Sequence, residues 1–353
     1  MTRWSAPLVV LGLAGLIVAG LIDLRSTLAV YLAAAATVAA LPLGAFAVLM
    51  TAYLVRGEWT EHLRVPLTAA ALTMPVAGLL FVPVLLGMGA LYPWTDPAAR
   101  HGAFQAGYLV PWFFVARTIF YFFVWTLLAL WARWAWGDVA RMNAAASVGL
   151  IVYALTGSFA GIDWLESLEP KFHSSIYGLL VLTFQLVAGV AFATAMAATN
   201  PPRRDLGSYG ALILSALLLW AYMHAMQYLI IWAGNIPDEV KWYLRRMEGG
   251  WMVVTWALLT IQFVLPFFAL LSSRVRGGAV PLLVIAALTL ASRFIEALWL
   301  VLPETGARGL VLLLAIPGAV LATGGLWLIG LRVSLFQVRR APAASLDVAG
   351  RSA

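Results

Sequence analysis

Four ionisable side chains lie inside long apolar stretches of the chain, where proton exchange is the chemistry that they could support. They are Arg117, His224, Arg293 and Glu296. A charge buried in hydrocarbon is costly unless it is paired or hydrated. Arg293 and Glu296 are three residues apart, so on a helix they share a face and can form an ion pair. A histidine can change charge near neutral pH, and so can a buried carboxylate. The four residues therefore indicate either structural ion pairing or a path for protons.

The composition of the chain requires a membrane environment. Of its 353 residues, 63% are hydrophobic and 10% are charged, and the mean hydropathy is +0.94. A water-soluble globule needs a more polar surface than this. The apolar segments have the length of about 20 residues that a helix needs to cross a bilayer, and they lack the alternation of a membrane β-barrel. We therefore predict an all-α, polytopic integral membrane protein.

Ten membrane-spanning segments are predicted. They run approximately from Ala6 to Ile22, Thr27 to Val55, Pro66 to Leu91, Tyr108 to Trp131, Asn143 to Trp164, His173 to Thr199, Ser208 to Gly234, Gly249 to Ser273, Ala279 to Leu302 and Gly309 to Leu331. Residues 1–338 are expected to form one transmembrane domain, and residues 339–353 a flexible cytoplasmic tail.

The charges in the connections predict the orientation. Most of the basic residues lie on the side of the two termini, and most of the acidic residues lie in the loops of the opposite side. By the positive-inside rule, both termini face the cytoplasm. The formal net charge of +7 is spread over several loops, which suits membrane topology and anionic lipid. Nucleic acid is therefore not expected as a partner.

The residue types that are missing limit the cofactors. The chain has no cysteine, which excludes cysteine-ligated iron–sulfur clusters, c-type haem attachment and thiolate zinc sites within it. Of its four histidines, only His224 lies well inside a predicted span. A membrane b-haem would need two histidines at matching depth on facing helices. We therefore expect that this chain binds no haem and no metal.

Two polar stretches near the middle of the chain have distinctive sequence motifs. They read SLEPKFHSSIYG at Ser167 to Gly178 and QYLIIWAGNIPDEVKWYLRRMEGGW at Gln227 to Trp251. Both resemble segments of the NrfD-like (polysulfide reductase NrfD family) membrane subunits of alternative complex III, a quinol:electron acceptor oxidoreductase. They are most similar to the subunit of that complex called ActF. The resemblance in amino-acid sequence covers about Tyr153 to Pro266. The resemblance in the ten-span layout covers the whole chain.

The resemblance implies a place in a respiratory or photosynthetic assembly of the bacterial cytoplasmic membrane. The implied partners are a sister NrfD-like membrane subunit, a periplasmic iron–sulfur subunit and multihaem cytochrome c subunits, which hold the clusters and haems. The helices would form two four-helix bundles, from spans two to five at 27–164 and from spans six to nine at 173–302. In that family the better-supported quinol site belongs to the sister subunit. This chain would then be an auxiliary subunit that acts as a scaffold and as an element of a proton path.

Two other classes of protein fit the same pattern. A secondary transporter would also have about ten spans and a few buried charges, and inverted repeats with broken helices at the membrane midplane would identify it. A purely structural anchor for partner subunits would need no buried proton chemistry. The sequence has no evident internal repeat, and both classes stay open at this point.

Loop residues carry two further expectations. If this chain itself binds quinol, the ring would lie near the outer ends of the spans, where a histidine or a carboxylate could accept its protons. The residues expected there are His101, Asp163, Glu169 and His173. The outer loops at 163–174 and 235–248 are expected to dock the periplasmic partner. The charged residues expected in that contact are Glu166, Lys171, Asp238, Glu239, Lys241 and Arg245.

Overall fold

The computed structural model describes residues 5–55, 58–100, 102–200 and 206–340, and within these ranges it contains helices and no β-strand. The α-helices are α1 (Ser5–Ile22), α2 (Leu24–Val55), α3 (Glu58–Ala71), α4 (Met74–Leu80), α5 (Val82–Leu86), α6 (Met88–Leu91), α7 (Gly102–Tyr108), α8 (Pro111–Trp134), α9 (Val139–Trp164), α10 (Tyr177–Thr199), α11 (Gly207–Gly234), α12 (Pro237–Met247), α13 (Gly249–Leu258), α14 (Leu265–Leu271), α15 (Ser273–Gly277), α16 (Ala279–Thr305), α17 (Val311–Ala319) and α18 (Gly325–Arg340). Short 3-10 helices occupy Pro93–Thr95, Pro97–Ala99 and Glu166–Leu168, and π-helical segments occupy Leu259–Val264 and Val320–Gly324.

The helices have the lengths that a membrane requires. In the described part of the chain, 9 helical stretches are long and apolar enough to cross a bilayer, and Ala6–Ile22 is a shorter apolar helix. Some crossings are built from consecutive pieces, such as Gly249–Leu271, which joins α13, a π-helical segment and α14. These stretches correspond to the ten predicted segments. The protein is an all-α polytopic membrane protein, as its composition predicts.

Several boundaries differ from the prediction, and three of the differences have local reasons. The fourth crossing begins at Pro111 rather than at Tyr108, because proline lacks a backbone N–H and its fixed φ suits the first position of a helix. His173 lies in a connection, and α10 begins at Tyr177. The last helix continues to Arg340, because Trp327, Leu331, Ser334 and Val338 recur at helical spacing and bury one face.

Two central helices, α2 and α10, hold the two halves of the chain together. They approach so closely that a Cβ atom built on Gly44 would lie 2.0 Å from the carbonyl oxygen of Gln185. One built on Gly189 would lie 2.1 Å from the carbonyl carbon of Gly44. Membrane helices attract one another mainly by such close packing, since lipid is as apolar as their side chains. Both helices pack against α9 and α16, and in addition α2 packs against α3 and α10 packs against α11.

One end of the molecule, which we call the loop end, carries the connections at 92–100, 102–110, 163–176 and 235–248. Helix α12 lies there against the neighbouring connection, because Trp242 stacks on Phe172 with ring centroids 5.0 Å apart. Trp242 also contacts Trp299 near the end of α16, at 5.4 Å. The loop end is therefore a packed layer of side chains rather than a set of free loops.

Candidate functional site

Glu296, on α16, is a buried carboxylate with three partners. Its side chain is 1% exposed. Arg293 Nη1 lies 2.5 Å from Oε2, and Trp220 Nε1 donates to both carboxylate oxygens at 2.9 and 3.1 Å. His224 Nε2 lies 2.9 Å from Oε1. One guanidinium and two ring nitrogens thus surround the carboxylate, and we call these four residues the Glu296 cluster.

Helical spacing on two elements builds the cluster. Arg293 and Glu296 are three apart on α16, and Trp220 and His224 are four apart on α11, so each pair shares one helix face. The spacing of the first pair anticipates its ion pair. The sequence does not predict the hydrogen bonds from Trp220 to Glu296, because one uncharged indole among many tryptophans has nothing to distinguish it.

His224 is the member of the cluster that combines contact with Glu296 with partial exposure. Arg293 and Glu296 are oppositely charged and together form a neutral pair. A neutral His224 that donates its Nε2 hydrogen to Glu296 keeps Nδ1 as an acceptor, whereas a protonated one donates from both nitrogens. The His224 side chain is 18% exposed, so it is also the member that a proton carrier can reach.

A cavity of about 760 Å³ opens beside the cluster. Its walls come from α11, α12, α13, the π-helical segment Leu259–Val264 and α16, and they include His224, Glu296, Tyr228, Tyr243, Thr255, Trp256 and Trp299. The lining is almost entirely apolar and rich in aromatic rings. Sites for small molecules have volumes of about 300–1,000 Å³ and this kind of lining.

Several buried polar groups next to the cluster have no hydrogen-bond partner within the described residues. They are both amide atoms of Gln262, the hydroxyl of Thr289, and the three guanidinium nitrogens of Arg293, of which Nη1 is within ion-pair distance of Glu296. Each of the three residues is at most 1% exposed. Thr289 lies one turn from Arg293 on α16, and Gln262 lies in a π-helical segment, an irregularity that is frequent at functional sites. Such groups are usually satisfied by internal water.

A second cluster of charges fixes α12 at the loop end. Arg246 is fully buried and donates from Nη1 to Glu304 Oε1 at 2.6 Å. It also donates to the carbonyl oxygens of Trp242, Trp299 and Leu300 at 2.7, 3.1 and 2.9 Å. Burial lowers the pKa of its guanidinium from the ordinary value, and the charge of Glu304 acts in the opposite direction. We call the pair Arg246 and Glu304 the α12 clamp.

The α12 clamp also connects to the neighbouring loop. Arg245 forms an ion pair with Glu304 and a second one with Glu169, whose Oε2 lies 2.7 Å from Arg245 Nη2. The sequence marks Arg245 and Glu169 as loop charges but gives no reason to expect that Arg246 and Glu304 are buried. Trp242, one turn earlier on α12, is a weak signal for this burial, since the Arg246 guanidinium lies 3.3 Å from the centroid of its ring.

Arg117 has its own partners in the first half of the chain. Its Nε and Nη2 donate to the two oxygens of Asp163 at 2.8 and 2.9 Å, and Tyr121 donates to the same carboxylate at 2.7 Å. The guanidinium also lies over the rings of Tyr108 and Phe113, at 3.8 and 4.3 Å. Asp163 is 0% exposed and belongs to the last turn of α9. It therefore serves as the buried counter-ion of Arg117.

The residues expected near a quinol take separate partners. Asp163 binds Arg117, Glu169 binds Arg245, and the Nε2 of exposed His173 lies 3.1 Å from Gln105 Nε2. His101 lies outside the described residues. Among the charges expected to dock a partner, Lys171, Asp238 and Lys241 present exposed side chains, and Glu239 is half-buried. Glu166 is buried and accepts a hydrogen bond from the Ser174 backbone N–H at 2.7 Å.

Within the described ranges, no group of three or more histidine, aspartate or glutamate side chains is arranged to hold a metal ion. No protein-family model matches the chain, and no curated protein matches it significantly.

The α12 clamp predicts the effect of one substitution. Glu304→Gln leaves the buried Arg246 without its counter-charge, and breaking a buried ion pair costs about 3–5 kcal/mol. We expect a clear fall in the midpoint of denaturant unfolding, followed by tryptophan fluorescence of the purified chain. Lys241→Gln is the matched control, because its pair with Asp238 is exposed on both sides and should contribute little. Equal midpoints for the two variants would contradict the role given to the clamp.

Proposed function

We propose that this chain is an NrfD-like membrane subunit of a quinol-oxidising electron-transport assembly in a bacterial cytoplasmic membrane. In that assembly it anchors periplasmic iron–sulfur and multihaem cytochrome c subunits beside a sister membrane subunit, and it carries protons through its second helix bundle. The two polar stretches at 167–178 and 227–251 support membership of the family. The observation that carries the proton role is the Glu296 cluster, which holds a buried carboxylate between Arg293 and His224.

Electrostatics supports His224 as the proton carrier. The charges of Arg293 and Glu296 cancel, so a proton on His224 adds one net positive charge to a buried site. Glu296, 2.9 Å away, offsets part of the cost of that charge. The unpartnered atoms of Arg293, Thr289 and Gln262 are groups that internal water could satisfy, which supports a proton path that includes water.

The loop end supports the anchoring role. Exposed Lys171, Asp238 and Lys241 lie on or beside a rigid layer that the α12 clamp holds in place. A rigid surface with a few charges suits a partner that binds without rearranging the membrane subunit. In the proposed orientation this surface faces the periplasm.

The first prediction of this proposal concerns His224. Glutamine at this position can still donate a hydrogen bond to Glu296, but it cannot carry a proton. In the purified assembly reconstituted into vesicles, we expect His224→Gln to lower the charge moved across the membrane per electron transferred. Arg141→Gln, which removes an exposed ion pair with Asp138 at the opposite end, is the control and should leave the ratio unchanged. An unaltered ratio in the His224 variant, with a loss of assembled complex only, would assign the cluster a structural role and contradict the proton path.

The second prediction concerns the docking surface. Because the chain has no native cysteine, a single introduced thiol reports the accessibility of one position. Lys171→Cys should react with a water-soluble maleimide in the isolated chain and be protected in the assembly. Arg141→Cys, exposed at the opposite end, should react in both states. Equal labelling of Lys171→Cys in the isolated chain and in an assembly that contains haem would contradict docking at the loop end.

A further inference from the structure

A groove on the outer surface of the protein has α3 and α4 as its floor. α4 packs between α8 and α18: a Cβ atom built on Gly78 would lie 3.2 Å from the Phe122 side chain, and one built on Gly330 would lie 2.8 Å from the Val76 side chain. α3 packs against the same two helices. The outer side of α4 is left open, because Leu79 is 70% exposed. Helices α8 and α18 are therefore the walls of this groove, which we call the α8–α18 groove.

The walls of the groove are apolar. On α8, the exposed side chains of Phe123 and Leu130 lie beside the helix face that Phe122 presents to α4. On α18, exposed Val333 lies one turn from Gly330. Such a surface at membrane depth suits the acyl chain of a lipid.

Two arginines meet at the end of the groove that is opposite the loop end. Nη2 of Arg133, in the last turn of α8, lies 3.4 Å from the carbonyl oxygen of Gln337, in the last turn of α18. Arg340 is seven residues from Val333, so the two share a side of α18, and its guanidinium lies 3.9 Å from the centroid of the Phe336 ring. In the described part of the chain, neither arginine has an acidic partner. Both guanidinium groups can therefore bind an anion.

The charges at this end favour an anionic headgroup. Arg64, on α3, adds a third positive charge close to the end of α8, since its guanidinium lies 5.9 Å from the centroid of the Trp136 ring. Among the side chains that the structure describes at this end, the carboxylate is Asp138, and Arg141 already pairs with it at 3.2 Å. A headgroup ammonium would thus find no free carboxylate among them, whereas a phosphate binds well to guanidinium groups.

The length of the groove matches half a bilayer. Arg133 is eleven residues from Phe122 on α8, and Arg340 is ten residues from Gly330 on α18. At 1.5 Å per residue, both distances are about 15 Å, which is half of the hydrocarbon thickness of about 30 Å. A lipid whose phosphate lies at the arginines would therefore extend an acyl chain along the groove as far as α4.

We infer that the α8–α18 groove binds an anionic glycerophospholipid, with its phosphate between Arg133 and Arg340 and one acyl chain over α4. Basic pockets between membrane helices bind anionic headgroups in this way. The rival role for these arginines is to cap the carbonyl ends of helices, as Arg133 does for Gln337. Capping alone needs no lipid and gives no preference among headgroups. The inference concerns this chain in any bilayer and does not depend on the proposed function.

The test reads lipid composition at one point of the groove. Because the chain has no native cysteine, Leu79→Cys can carry a single bimane fluorophore in nanodiscs of phosphatidylcholine. One tenth of the lipid bears a nitroxide quencher on its acyl chain and is either phosphatidylglycerol or phosphatidylcholine. We expect an apparent affinity about fivefold higher for phosphatidylglycerol at this position. Ile151→Cys, 62% exposed and ten residues from the paired Arg141, is the matched control and should show no preference.

Arginine variants then locate the headgroup. Replacing Arg133 and Arg340 together by glutamine should abolish the preference at Leu79→Cys. Arg141→Gln, whose arginine is paired with Asp138, should leave it unchanged. Quenching by phosphatidylcholine should be the same in every variant, which shows that the groove itself is intact.

Three results would overturn the inference. Equal quenching by the two lipids at Leu79→Cys would leave the arginines as helix caps only. A preference of the same size at Ile151→Cys would show a general attraction of the basic end for anionic lipid. A preference that survives the double arginine variant would place the headgroup elsewhere. None of these results bears on the charge moved per electron, so the inference and the proposed function fail separately.

Discussion

The free-energy cost of burying the Glu296 carboxylate among apolar helices is the main constraint on the structure of the second half of this protein. An ion taken out of water must regain its solvation from neighbouring side chains. Here those side chains come from both α11 and α16. Arg293 provides the charge, Trp220 provides two hydrogen bonds, and His224 provides a nitrogen that can lose or gain a proton. Because these groups come from two helices, the chemistry of the cluster depends on how the helices are held relative to each other.

Trp299 links that cluster to the loop end. Its carbonyl oxygen accepts a hydrogen bond from Arg246, its indole donates to Thr255, and its ring lies 6.0 Å from His224. The α12 clamp therefore positions one wall of the cavity as well as the loop end. In the proposed function, a partner bound at the loop end would contact a layer that is only one side chain away from the Glu296 cluster. Anchoring and proton transfer would then depend on the same packed region.

The sequence predicts the parts of this structure that depend on local spacing. The fold class and the ten segments follow from the thickness of a bilayer, and the pairing of Arg293 with Glu296 follows from one turn of helix. The contact between His224 and Glu296 joins residues 72 apart in the chain, and that between Arg117 and Asp163 joins residues 46 apart. Such contacts depend on how each helix is rotated about its axis, which hydropathy does not determine. The cavity gives no signal in the sequence for the same reason, since aromatic residues near span ends also suit an interfacial belt.

In the proposed proton path, His224 carries the proton while Glu296 stays paired with Arg293. Infrared difference spectra of the purified chain between acidic and neutral pH distinguish the two side chains. The expected result is an imidazole signal that disappears in His224→Gln, with no protonated carboxyl band lost in Glu296→Gln. A carboxyl band that appears on acidification and vanishes in Glu296→Gln would show that the glutamate carries the proton, and that result would contradict the proposed path.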